Sequence, residues 1–135
     1  MKQAFFALIL LASLTLAFVA LGVQQTAVGM HNTGRLKVVG VDCDADHIDW
    51  GLVEPNSTTY RAVMFRATGN TPVTLSMYAS NFLPANASQY LITDWNYTGV
   101  AIVNAWSPVQ FSLFVSPQVQ NITDFSFDIT VIGSG

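Results

Sequence analysis

Hydrophobic residues follow two different patterns, which divide the chain near residue 24. Residues 4–23 form an unbroken apolar run, whereas apolar and polar residues alternate in short segments beyond it. A helix of about 20 apolar residues, rising about 1.5 Å per residue, matches the hydrocarbon thickness of a bilayer. Period-two alternation is typical of strands that bury one face. The sequence therefore predicts one N-terminal helix followed by a domain of strands.

The alternating segments predict about seven strands. The clearest inward rows lie near the C-terminus and comprise Val109, Phe111, Leu113 and Val115, then Phe125, Phe127, Ile129 and Val131. Shorter rows centre on Leu36, Val63, Leu75 and Leu91, and Pro, Gly and Asn separate the rows as turn residues do. This spacing predicts an all-β fold: an immunoglobulin-like or jelly-roll-type antiparallel β-sandwich.

The predicted organisation has three parts, whose functions depend on the N-terminal helix. Residues 1–23 form a transmembrane anchor or signal helix, residues 24–33 a linker, and residues 34–135 an extracytoplasmic sandwich. A cleaved signal fits the basic Lys2 and a cut after Gly22. The length of the apolar run exceeds an ordinary signal core and favours an uncleaved single-pass anchor. Both interpretations export the sandwich, to the cell membrane in one case and as a secreted protein in the other.

Composition narrows the functional classes. The chain has 135 residues, of which 10% are charged, and its net charge of −3 comes without a basic cluster, so nucleic acid is not expected as a partner. The single Cys43 cannot form an internal disulfide.

The sequence offers no recognisable catalytic motif. Neither His31 nor His47 belongs to a nucleophile motif, so we expect no enzyme. Asp94, Asp124 and Asp128 remain as carboxylates for glycoside chemistry if they converge, although Asp128 is expected to face solvent.

Closely spaced carboxylates form the candidate metal site. The calcium ligands predicted from this spacing are Asp42, Asp44, Asp46 and Asp49. An EF-type loop fails because His47 and Val53 occupy the positions that need Gly and an acid. A looser Ca²⁺ site competes with a solvated acidic turn, and no other cofactor is predicted.

Four N-x-S/T sequons predict a glycosylated surface. Their asparagines are Asn56, Asn86, Asn96 and Asn121, each in a predicted turn or at a strand edge.

The tryptophans offer a sugar-stacking platform as an alternative to core packing. We expect Trp50 and Trp95 in the core and Trp106 exposed.

Several motifs carry a family resemblance across most of residues 34–133. They are Ile48-Asp49-Trp50-Gly51 with Pro55, Gly69-Asn70-Thr71-Pro72-Val73-Thr74-Leu75-Ser76, Trp95-Asn96-Tyr97, and Phe125-Ser126-Phe127-Asp128-Ile129. Together they resemble small archaeal cell-surface proteins with one N-terminal apolar helix and an immunoglobulin-like sandwich. More distantly, the layout is similar to that of TasA-like and camelysin-like proteins, some of which polymerise through an N-terminal strand. The resemblance implies a surface or fibre role and transfers no catalytic residue.

The sequence thus favours a non-enzymatic surface protein that contacts the membrane through its helix and envelope proteins or its own copies through its sandwich. A secreted filament subunit is the alternative, in which Leu36 to Val41 leaves its own domain and completes the next by β-augmentation. A carbohydrate- or Ca²⁺-binding surface module is the third hypothesis.

Overall fold

A computed structural model describes residues 29–135 of the chain. The predicted helix over residues 1–23 and most of the predicted linker lie outside these residues. Within residues 29–135 no helix combines the length and apolarity needed to cross a membrane. The strands are β1 His31–Val39, β2 Asp42–Cys43, β3 His47–Ile48, β4 Ser57–Arg66, β5 Thr74–Leu83, β6 Leu91–Trp95, β7 Ser107–Val115 and β8 Asp124–Ser134, with a 3₁₀-helix at Ala85–Gln89 between β5 and β6.

The strands form two four-stranded sheets, which confirms the all-β prediction. The first sheet has the order β3-β1-β8-β5, and the second has the order β2-β4-β7-β6. All neighbours pair antiparallel except β1 and β8, which run parallel from the pair His31 and Asp124 to the pair Val39 and Ile132. The wholly antiparallel prediction is therefore wrong at this pair. Strand β1 also begins at His31, three residues before the predicted domain boundary.

Inward-facing residues of both sheets fill one core, as the alternation predicts. The fully buried side chains of greatest volume include Trp50, Phe65, Phe111 and Phe127. The row Val109, Phe111, Leu113 and Val115 from β7 and the row Phe125, Phe127, Ile129 and Val131 from β8 are all buried. Both strands lie in the interior of their sheets. Because each has a neighbouring strand on both sides, its inner face is shielded from water.

A bulge near the end of β5 changes which side of the strand faces the core. Two residues, Asn81 and Phe82, lie opposite Phe127 where the register shifts. Asn81 has a φ of 57°, a conformation that Asn tolerates better than most residues. The extra residue turns Phe82 inward, where its ring stacks on Phe127 with centroids 5.1 Å apart. Leu83 consequently remains exposed.

The chain crosses from the first sheet to the second at Gly40. Gly40 has a φ of 78°, which glycine adopts without steric cost. A Cβ atom there would also collide with the carbonyl oxygen of Gly133 on the neighbouring β8. Gly40 therefore lets β1 remain against β8 while the next residues start β2 on the opposite sheet.

The two long sides of the sandwich differ in their edge strands. On one side, which we call the acidic flank, the sheets end in β2 and β3, and the connecting residues are Asp44, Ala45 and Asp46. On the other side, which we call the open flank, they end in β5 and β6. This topology decides which backbone groups remain available for pairing.

Candidate functional site

The four candidate calcium ligands all lie on or beside the acidic flank, but each carboxylate has a different partner. Asp42 forms an ion pair with Arg66 at 3.2 Å. Asp44 accepts the backbone N–H of Met64 at 3.0 Å. These contacts tie the acidic segment to β4.

The other two candidates bind within their own loop. Asp46 contacts the His47 ring at 2.8 Å, and this hydrogen bond is the main reason that the pKa of Asp46 lies below its ordinary value. Asp49 accepts the N–H of Gly51 at 2.9 Å and closes a tight turn. Among residues 29–135, no three His, Cys, Asp or Glu side chains gather closely enough to hold a metal ion together.

Cys43 lies beside these carboxylates in β2. Its side chain is half-buried, and burial raises the pKa of the thiol above its ordinary value. Burial thus disfavours the thiolate, which is the form that attacks as a nucleophile and binds metals.

All four sequon asparagines are exposed in the described part of the chain. Asn56 and Asn121 have positive φ values of 57° and 61° in turns, and Asn86 lies in the 3₁₀-helix. Asn96 follows β6 and exchanges two hydrogen bonds with Gln110: its N–H donates to the Gln110 carbonyl at 2.9 Å, and its Oδ1 accepts the Gln110 N–H at 2.8 Å. Each asparagine thus lies at the surface and outside the core.

The tryptophans do not form one surface platform. Trp50 is 1% exposed and belongs to the core, as predicted. Trp95 is half-buried and packs on the core through Phe111, with ring centroids 5.6 Å apart. Trp106 is exposed, as predicted, and the Arg66 guanidinium lies 4.4 Å above its ring.

The three carboxylates considered for glycoside chemistry do not converge. Asp94 lies on β6 of the second sheet, whereas Asp124 and Asp128 lie on β8 of the first sheet. Asp128 follows Asp124 by four positions along the strand, or about 13 Å at about 3.3 Å per residue. This spacing is too long for Asp124 and Asp128 to act as a glycosidase pair.

Asp128 instead forms a polar cluster that the sequence analysis missed. The expectation that Asp128 faces solvent is wrong: its side chain leaves the outer face of the sheet, but neighbouring long side chains cover it and the residue is only 8% exposed. Asn81 donates to its Oδ2 at 2.8 Å, and Lys37 and Arg35 lie 3.3 and 3.8 Å from its carboxylate. The Asn81 hydrogen bond is the main reason that the pKa of Asp128 lies below its ordinary value, with the two cations adding to it. Only the strand order β1-β8-β5 reveals the cluster, because its members are far apart in sequence.

The open flank contains the most distinctive backbone feature, the free edge of β5. Val73 exchanges hydrogen bonds with Ile102, and the Leu75 N–H donates to the Tyr97 hydroxyl at 3.2 Å, both on the side away from β8. Backbone groups alternate between the two edges of a strand. The N–H and C=O groups of Met77 and Ala79 therefore point to the same free side, where no described strand pairs with them.

Strand β5 has a bulge at Asn81 and loop contacts at Val73 and Leu75, but between them its edge lacks the commonest protecting residues. Its ten residues include no charged side chain and no proline. The second edge of this flank, β6, is better protected, because the Asp94 carboxylate accepts the Trp95 N–H at 2.8 Å and places a charge there.

Comparison of the chain with protein-family models, with characterised proteins and with solved structures found no match.

Proposed function

We propose that this protein is a non-enzymatic cell-surface structural or interaction module, anchored by its N-terminal apolar segment, that contacts its neighbours through the free edge of β5. The observation that carries the proposal is this uncharged ten-residue edge strand. A free edge is a template for an additional strand, and proteins that do not use such an edge usually block it.

The mode of contact is β-augmentation. An incoming extended strand hydrogen-bonds the outward backbone groups of Met77 and Ala79, which supplies affinity. The outward side chains Ser76 and Tyr78 line the same strand and are exposed, so they supply specificity. The simplest occupant is a strand from a second copy of this chain, because two uncharged β5 strands pair without electrostatic repulsion.

Proline at position 79 tests the edge. Ala79→Pro removes an N–H that faces the free side and leaves the β8 ladder intact, whereas the control Ala79→Ser keeps that N–H. We expect the full-length wild type and Ala79→Ser in detergent to self-associate and to slow amide exchange at Met77 as concentration rises. Ala79→Pro should do neither. Equal association of all three proteins would refute the edge proposal.

The anchor has a separate test. Removal of residues 1–23 should transfer the protein from the membrane fraction to the soluble fraction, because the apolar run provides the membrane contact. Retention of the truncated protein on membranes after a salt wash would contradict the anchor.

A secreted filament subunit is the second candidate, and the pairing of β1 favours it. Strand β1 begins near the described N-terminal end, pairs with β8 along its whole length, and connects onward through the Gly40 turn. Its pairing with β3 covers only Gly34 and Arg35, so β8 is its main partner. Its withdrawal would expose β8 to a strand from the next subunit.

The N-terminus of the mature protein separates the two candidates. An intact Met1 in mass spectra supports the anchor, and a start near Val23 supports the filament. Electron micrographs of the cleaved protein without filaments would count against polymerisation.

A further inference from the structure

A shallow depression on the outer side of the second sheet combines an aromatic ring with free polar groups. Strand register aligns Tyr60, Ser112 and Asp94 in one row across β4, β7 and β6. Gln110 and Asn96 border the next row, and the depression has a volume of about 200 Å³. Tyr60 is 56% exposed, so its ring is available to a ligand.

The polar groups in the depression have unused hydrogen-bonding capacity. Within residues 29–135, the side chains of Tyr60, Gln110 and Ser112 form no hydrogen bond. Asp94 uses one carboxylate oxygen for the Trp95 N–H, and no cation of the described chain pairs with it. A ring face beside a carboxylate, an amide and a hydroxyl suits a sugar, whose C–H faces pack on aromatic rings while its hydroxyls exchange hydrogen bonds.

The attachment point for a sugar lies on the rim of this depression. Asn96 is the sequon residue of Asn96-Tyr97-Thr98, and its Oδ1 is held by the Gln110 N–H, which leaves Nδ2 as the free atom. Tyr97 fixes the following turn, since its hydroxyl donates to the Val100 carbonyl at 2.7 Å and accepts the Leu75 N–H. The amide that would carry the glycan is therefore held in place before modification.

We infer that Asn96 carries an N-linked glycan whose first sugars fold back into this depression, against the Tyr60 ring and the polar groups of Asp94, Gln110 and Ser112. The inference rests on the surface location in the proposed function. Attachment joins Nδ2 to the anomeric carbon of a phosphate-activated oligosaccharide donor. The C–O bond to the donor phosphate breaks, the phosphate carrier leaves with its electron pair, and one amide proton is released.

A second depression also borders Asn96 and needs a control. It has a volume of about 260 Å³, and its lining includes Ile102, Pro108 and Val109. These residues offer apolar contact without the free carboxylate and amide of the first depression. Pro108→Ala therefore tests whether the glycan turns to this side instead.

A double-mutant cycle tests the inference in full-length protein from a secretory host that glycosylates sequons. Thr98→Ala removes the glycan but keeps Asn96 and its hydrogen bonds, while Tyr60→Ala removes the ring from an exposed position. Loss of the glycan should lower the Tm by about 2–5 °C when Tyr60 is present, as expected for one aromatic contact in a domain of this size. The loss should have no effect in the Tyr60→Ala background, and Tyr60→Phe should restore it.

Four results would overturn the inference, three of them from the glycosylated protein. These three are an unmodified Asn96 in mass spectra, an equal glycan effect with and without Tyr60, and an effect that only Pro108→Ala removes. Millimolar binding of free oligosaccharide by the Thr98→Ala protein, without any effect of the linked glycan, would also overturn it and assign the depression to an external sugar. Thr123→Ala, which removes the sequon at Asn121, should leave the Tm unchanged. Failure here leaves the edge proposal intact, because the Ala79→Pro result is measured independently.

Discussion

The acidic flank ends in two strands of two residues each, whereas the open flank ends in β5, a strand of ten residues, and β6, a strand of five. Asp42, Asp44 and Asp46 lie along the acidic flank, and β5 carries no charge. Short strands and charged side chains are devices that prevent edge-to-edge pairing. The difference teaches that the acidic segment, tied to β4 by Asp42 and Asp44, carries features that oppose strand pairing on its own flank and that β5 lacks.

The largest predicted effect is on the free energy of unfolding, and it differs between a tryptophan near each flank. Trp50→Ala should lower the free energy of unfolding by about 3–5 kcal/mol, because the side chain is 1% exposed within the core. Trp95→Ala, on the open flank, should cost clearly less because its ring is half-buried. Chemical denaturation of both variants measures the difference, and equal losses would show that the two flanks are packed alike.

A charge added to the edge of β5 should weaken association with little effect on folding. Ser76→Lys adds a charge to an exposed position of β5 and should weaken self-association at least about tenfold, or about 1.4 kcal/mol. Ser76→Thr serves as the uncharged control. Sedimentation velocity measures the change, and unaltered association of the lysine variant would show that β5 is not the contact.

The structural contacts of the acidic flank lead to a separate prediction at Asp44. Asp44→Ala should lower stability by about 1 kcal/mol, because the Met64 N–H loses its acceptor. We expect millimolar Ca²⁺ to leave the Tm of the wild type unchanged. A Ca²⁺-dependent rise that Asp44→Asn abolishes would instead support the predicted calcium site.

The smallest predicted effect distinguishes two carboxylates whose pKa values are both lowered. A pKa lower in the folded state than in the unfolded state stabilises the protein above the unfolded value, and this contribution disappears as pH falls through the folded value. Asp128 should therefore contribute about 0.2–1 kcal/mol above about pH 4 and lose it below. Denaturation curves at several pH values should show less acid sensitivity in Asp128→Asn, whereas the exposed Asp46→Asn should match the wild type. A wild-type pH profile for Asp128→Asn would contradict the role of the cluster.

The sequence predicted the strand phases correctly because burial of one face imposes a period of two. The rows on β7 and β8, the core position of Trp50 and the exposure of Trp106 all follow from local pattern. The bulge at Asn81 interrupts that period, so alternation predicts neither the inward turn of Phe82 nor the exposure of Leu83. The sequence could not predict which strands pair either, because alternation does not encode which strand lies beside which.

The candidate sites illustrate the same division. Sequons and the acidic spacing can be read along the chain, and the exposure of Asn56, Asn86, Asn96 and Asn121 agrees with their turn positions. The Asp128 cluster and the Tyr60 depression require strands that are distant in sequence to lie in a particular order and register. No local signal identifies either feature.

The sequence by itself determined the apolar segment over residues 4–23, the all-β class, the inward rows and the positions of the sequons, because each depends on local composition or on a short period. Only the tertiary structure decided that β1 pairs parallel with β8, that the acidic residues lie at one edge with separate partners, and that β5 keeps a free edge. These properties depend on contacts between residues far apart in the chain. Sheet order and register, set by the packing of the whole core, determine those contacts.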